Sequence, residues 1–241
     1  MELEKEVEDL LSKEKLNPIE KKEFWKLVHE AKVRYNSVPK ELADKFGKIK
    51  ARNAPWRLYR VRSNIVISVL AFLLGVVGWI WWLDMFIFSQ AVPLNTSQLL
   101  FWIGFLLWMV FILLIMLGPH ELSHIIVAKL FNINFNGWGI YRLQPTLDIE
   151  YSSYLGSTFG KRALLHLIGM PINLFQFLAH LIITTFLNNN YWILWIPFTV
   201  IYSFLIIVGI VGGYGDVPRC VKELKRNKEY KKKLLNFKNQ C

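Results

Sequence analysis

The five residues His120-Glu121-Leu122-Ser123-His124 carry the strongest chemical signal in the chain. On a helix, four residues advance about 400°, so the two imidazoles project from one face, one above the other. Two imidazoles so placed can share one tetrahedral Zn²⁺ through bonds of about 2.0–2.1 Å. The Glu between them is then placed to accept a proton from a water that the metal activates. The plain alternative is two histidines satisfied inside a helix bundle, with Glu121 paired to a neighbour such as Lys129. That alternative must accommodate three polar groups in five residues, after a run with no charge from Leu99 to Leu117. A carboxylate in hydrocarbon costs at least a few kcal/mol unless something compensates it.

A zinc site needs at least one more protein ligand and an open position for water. Asp216, in Gly212-Gly213-Tyr214-Gly215-Asp216-Val217-Pro218, is the leading candidate. His120 and His124 lie about 8–14 Å deeper than the interfacial charge of Lys129 at 1.5 Å per residue. Asp216 comes shortly before Arg219, at a similar or slightly shallower level, and the glycines around it allow an unwound helix end. The alternative is an Asp that caps the tail or pairs with Arg219. His166, Asn173 and His180 recur at a heptad interval beside Gly169 and Pro171. His166 is a rival ligand, Asn173 is placed to hydrogen-bond a substrate backbone or reacting carbonyl, and His180 is too deep to be a ligand. Interhelical packing alone also produces polar stripes of this kind.

The elements that must position these residues are membrane helices. Of 241 residues, 54% are hydrophobic and 20% charged, with a positive mean hydropathy of +0.30. The apolar residues gather into blocks of about 20 or more, enough to cross a hydrocarbon core of roughly 30 Å. This excludes a soluble globular or a disordered chain. Four spans are expected, at about Ile65–Phe88, Leu99–Phe131, Ala163–Leu187 and Tyr191–Tyr214. The apolar stretch starts too late and is too long for a cleavable signal. Cys220 and Cys241 cannot build a disulfide framework or a cysteine metal site.

The net charge of +11 is concentrated at Arg52, Arg57, Arg60 and Arg62 and in the tail from Arg219 to Lys238. Both clusters flank apolar spans, where basic residues anchor helix ends on the cytoplasmic side and meet anionic lipid, so no nucleic acid is expected. Loops 89–97 and 188–190 contain no Lys or Arg, whereas the amino-terminal segment, the 132–162 loop and the tail do. Both termini and the 132–162 loop are therefore expected on the cytoplasmic side.

Residues 2–50 read as a soluble helical arm. Asn17-Pro18-Ile19-Glu20 has the form of a capped helix start, and Phe24, Leu27, Val28 and Ala31 follow as a 3.6-period stripe. A second helix is expected from near Pro39, ending by Gly47. The segment from Pro39 to Gly47 has the look of the first helix of a helix-turn-helix, but no recognition helix follows it. Asp148 and Glu150 fall in the 132–162 loop, which is expected to hold an extended segment or hairpin. Its strands would be Trp138–Leu143 and Thr146–Tyr151, with Gln144-Pro145 between them. A free strand edge there could hold an extended substrate; equally, Trp138 and Tyr141 could be interfacial anchors.

An HExxH in one membrane helix, a Pro/Asn pair in the next and an Asp at the end of the following one resemble the site-2 protease family of intramembrane zinc metalloproteases. Gly118-Pro119-His120-Glu121-Leu122-Ser123-His124-Ile125-Ile126-Val127-Ala128-Lys129 looks like that family's first motif, and the likeness covers about residues 99–217. It implies that His120, His124 and Asp216 bind Zn²⁺, that Glu121 is the general base, and that the substrate is a transmembrane segment of another protein. The chain departs from the family pattern in three places. Ser123 stands where Gly is usual, Pro171 and Asn173 are closer together than usual, and Gly-Asp-Val replaces Leu-Asp-Gly at Asp216. No stretch is long enough for an inserted PDZ domain.

The expectation is thus an all-α polytopic membrane protein with four transmembrane helices, a small cytoplasmic helical arm and a short extended or hairpin loop between the second and third spans. Its parts are an arm and basic linker (1–62), a membrane domain carrying the zinc site (63–217) and a basic cytoplasmic tail (218–241). Its expected activity is peptide-bond hydrolysis in membrane-protein substrates near the cytoplasmic face. The competing readings are a non-catalytic zinc-binding membrane scaffold and a transporter that uses the buried polar residues as an ion path.

Overall fold

The computed structural model describes residues 2–53, 59–84, 98–141, 144–187 and 216–238. By internal contacts the chain divides into two units, residues 1–61, 126–167 and 213–241 in the first, and 62–125 and 168–212 in the second.

The first unit begins with α1 (Glu2–Ser12), α2 (Pro18–Arg34) and α3 (Lys40–Arg52). The start of α2 is a full capping box. Asn17 Oδ1 accepts the Ile19 and Glu20 N–H groups at 2.9 Å, and the Glu20 carboxylate accepts the Asn17 N–H at 2.8 Å. Three N–H donors at the start of the helix are satisfied in this way. The stripe Phe24, Leu27, Val28 and Ala31 is buried, and the Phe24 ring meets Phe46 of α3 edge-on. Contrary to the expected stop, α3 continues through Gly47 to Arg52, because Phe46 and Ile49 extend the buried stripe begun by Leu42 and Ala43. Gly47 serves close approach instead. A Cβ there would lie 3.2 Å from the Ser152 nitrogen.

Strands β1 (Phe135–Tyr141) and β2 (Gln144–Ile149) pair antiparallel. Gln144 and Pro145 therefore lie inside β2, not between the strands as the sequence suggested, and residues 142–143 lie outside the described set. Trp138 of β1 also exchanges two main-chain hydrogen bonds, at 2.7 and 2.9 Å, with Tyr59. Asp148, which falls within the expected second strand, is buried in β2 and accepts from Lys50 at 2.6 Å and Asn136 at 2.8 Å. Glu150 is the residue that precedes α6 (Tyr151–Gly156). Helices α7 (Phe159–Leu167) and α9 (Asp216–Lys238) complete the unit.

The second unit is built from α4 (Val61–Leu83), α5 (Gln98–Leu130) up to Ile125, and α8 (Gly169–Leu187). Among the described residues, three helical stretches are long and apolar enough to cross a membrane: Val61–Trp82, Leu106–Leu130 and Phe159–Ala179. Their outward faces suit lipid and not water. Val77 is 64%, Phe175 71% and Phe186 86% exposed, which a soluble domain does not sustain over a wide patch. The expected third span differs in detail, since its helix starts at Phe159 and breaks at Ile168 before resuming as α8. Pro171 falls in the first turn of α8, where its missing N–H costs nothing. The fourth expected span, 191–214, and residues 85–97 lie outside the described residues.

Small residues bring α4 against α5. A Cβ on Gly118 would sit 2.4 Å from the Ser68 carbonyl oxygen, and one on Gly75 2.8 Å from the Ile115 nitrogen. Close backbone approach through small residues is the usual packing of helices in lipid, where the hydrophobic effect offers no drive to associate. Trp82, Trp108 and Ile112 form the buried centre of this unit, with Trp79, Met109, Met116 and Phe177 packed around it.

Candidate metal centre

The helical spacing of His120 and His124 is realised near the end of α5. The two Nε2 atoms lie 3.3 Å apart, with the rings inclined at 70°. Two nitrogens bound to one tetrahedral Zn²⁺ at about 2.05 Å would be separated by about 3.3 Å. The pair is thus set at the edge length of a zinc tetrahedron. His124 is 9% exposed, and Glu121 sits between the two on the same turn, half-buried. Ser123, buried, donates its hydroxyl to the His120 carbonyl at 2.6 Å, so the hydroxyl is satisfied within its own helix.

Two features of the helix packing hold His120 in place. Pro119, inside α5, has no N–H to give the carbonyl of Ile115 one turn back. Gln176 of α8 supplies the missing donor, with its Nε2 2.8 Å from the Ile115 oxygen. A backbone group freed in a membrane helix must find such a partner. The bond ties α8 to α5 one turn before the His pair. Gly169, at the start of α8, lies against the His120 ring; a Cβ there would come within 2.2 Å of Cε1, 2.6 Å of Nδ1 and 2.8 Å of Nε2. No side chain fits between this backbone and the imidazole.

Neither Gln176 nor the contact of Gly169 was anticipated from the sequence. The signal for Gln176 was present, because a proline within a helix leaves an acceptor four residues earlier. Nothing in the sequence indicates which group answers it.

Asp216 is the first residue of α9. Among the described residues, His120, His124 and Asp216 form a group whose ligand atoms all lie within 4.8 Å of one another. His166, the rival ligand, is buried on α7 with its Nε2 2.9 Å from the Tyr154 hydroxyl, so that nitrogen is already engaged. Asn173 of α8 keeps a buried Oδ1 without a hydrogen-bond partner, the kind of group that calls for a ligand, water or mechanistic role. The side chain of His180 lies outside the described residues.

No family model, no curated protein and no solved structure matches the chain.

Proposed function

We propose that this protein is an intramembrane zinc metallopeptidase that hydrolyses peptide bonds in membrane-protein substrates near the cytoplasmic face. The observation that carries this reading is the 3.3 Å separation of the His120 and His124 Nε2 atoms, with a carboxylate between the two histidines on a mostly apolar helix whose one other charge is Lys129 in its last turn. The grouping of Asp216 with them supports a His-His-Asp ligand set, three protein ligands that leave a fourth position for water or substrate. Resemblance of the Gly118–Lys129 segment and of the later Asp to the site-2 protease family agrees with it. The topology in this reading has four spans, both termini cytoplasmic and α7–α8 as the third span.

The donor set fits zinc, since two imidazoles and one carboxylate are ligands of the type it prefers. When bound, zinc would supply Lewis acidity toward a water and a scissile carbonyl. The rest is the work of this chain. Glu121 accepts the proton of the attacking water and returns it to the leaving amine nitrogen. Asn173, with its unpartnered Oδ1, accepts a hydrogen bond from the substrate main chain. Strand β2, paired antiparallel with β1, is the element that would hold a substrate segment in extended form.

The test separates the roles. Glu121→Gln should retain about one zinc per chain and lose cleavage of a co-expressed membrane substrate, because Gln keeps the shape and removes the base. His120→Ala and His124→Ala should lose both zinc and cleavage. Cleavage by Glu121→Gln at near the wild-type rate would refute the mechanism. Zinc bound without cleavage of any substrate in a broad panel would favour a scaffold, and ion flux in liposomes without zinc a transporter.

A further inference from the structure

The amino-terminal arm supplies no residue of the candidate metal centre, yet it is joined to the tail helix by a buried ion cluster. Glu223 of α9 is 1% exposed. Its carboxylate accepts from Lys32 of α2 at 2.7 Å, from Arg162 of α7 at 3.0 Å and from Arg226 at 2.5 Å. The Tyr154 hydroxyl adds a fourth bond at 3.2 Å and reaches His166 at 2.9 Å. Lys32 is 3% and Arg162 0% exposed, so these two meet the carboxylate almost without water, while Arg226 reaches it from a partly exposed position.

Such a cluster is a poor way to gain stability. Desolvating the ions costs about as much as their attraction returns, and well-packed apolar side chains often do as well. In well-attested cases directional polar bonds fix the register of packed helices, and here one carboxylate of α9 is held from α2, from α7 and from within α9 itself.

The register matters because of what lies two turns away. Asp216 and Glu223 are seven residues apart on α9, a rotation of about 700°, which places them on nearly the same face about 10.5 Å apart along the axis. We propose that Lys32, acting through Glu223, is a positioning residue for Asp216. In this view the amino-terminal arm is the anchor that fixes the helix carrying the third metal ligand. The proposal rests on the assignment of Asp216 as a ligand.

The experiment measures zinc affinity of full-length protein in micelles by competition with a chelator, for wild type, Lys32→Met, Asp216→Asn and the double variant. Asp216→Asn and Lys32→Met should each weaken zinc binding tenfold or more, and the double variant should bind within twofold of Asp216→Asn alone. That non-additivity is the signature of Lys32 acting through Asp216, and general loosening of the fold would not produce it. The proposal is overturned if Lys32→Met binds zinc within twofold of wild type, or if the losses in the double variant multiply. Should Lys32→Met not fold, Tyr154→Phe removes only one hydroxyl from the cluster. It should weaken zinc binding threefold or more, again without adding to Asp216→Asn, and unchanged affinity would overturn the proposal. If Asp216→Asn itself leaves affinity unchanged, the ligand assignment falls and the proposal with it. If Asp216→Asn weakens binding and Lys32→Met does not, only the positioning role falls.

Discussion

Replacing Gly169 by alanine adds one methyl group, and the structure says where it goes: 2.2 Å from Cε1 of His120 and 2.8 Å from its Nε2. Carbon atoms in contact rest at about 3.5–4.0 Å, so the imidazole must retreat by more than about 1 Å. A zinc–nitrogen bond tolerates deviations of about 0.2 Å. The ring cannot make that shift and keep its Nε2 3.3 Å from that of His124. Zinc affinity should therefore fall about 10- to 100-fold, the range seen when supporting groups around metal ligands are changed. Helix propensity works the other way, since alanine is favoured over glycine by about 1 kcal/mol, so a loss of zinc would not come from a weakened helix. The assay is chelator competition on purified protein, with the thermal midpoint followed alongside. Gly160→Ala is the control, because a Cβ there meets nothing within 4 Å. Wild-type zinc affinity in Gly169→Ala would refute the packing argument and the role of His120 with it.

The pairing of Pro119 with Gln176 makes a second prediction. Gln176→Leu should destabilise the protein by about 1–3 kcal/mol, the cost of a buried unsatisfied acceptor. Pro119→Ala in that background should restore part of the loss, because alanine brings back its own N–H; unfolding in mixed micelles measures both. A third concerns pH. Burial alone would raise the Glu223 carboxyl, but Lys32, Arg162 and Arg226 outweigh it and hold it at about 2, below the usual 4.5. A carboxyl lowered on folding contributes stability that is present above pH 4.5 and lost as pH falls towards 2. Lys32 is also lowered, to about 7, by burial first and then by the neighbouring arginines against the pull of Glu223. The cost of charging a buried lysine is fully present below pH 7 and fades as pH rises towards 10.5. The thermal midpoint should thus drop between pH 4.5 and 2 and this drop should be shallower in Glu223→Gln; equal acid sensitivity in the two proteins would count against the cluster as drawn. Finally, Phe46→Ala, at a fully buried ring of the arm, should cost about 3–5 kcal/mol in the arm's unfolding transition.

The features legible in the sequence are those that local physics settles. A capping box needs only Asn17 and Glu20 three residues apart, and the structure forms it bond for bond. Apolar runs of membrane length mark α4 and α5 because length and hydropathy are properties of a single segment. The His120–His124 pair follows from the pitch of one helix, and its 3.3 Å separation adds only the choice of rotamers.

Reading Gly47 as a stop failed because a glycine in sequence looks the same whether it ends a helix or lets another backbone approach; Ser152, more than 100 positions away, decides which. For the same reason Gln144 and Pro145 looked like a turn, until pairing with β1 placed them in a strand. What the tertiary structure alone decided is which groups answer one another across the chain: Gln176 to the carbonyl freed by Pro119, Gly169 to the face of His120, Lys32 to Glu223 from 191 positions away. Sequence spacing sets the faces of each helix. The partner a buried donor, charge or ring finds depends on which faces meet, and that is set by the packing of all the helices together.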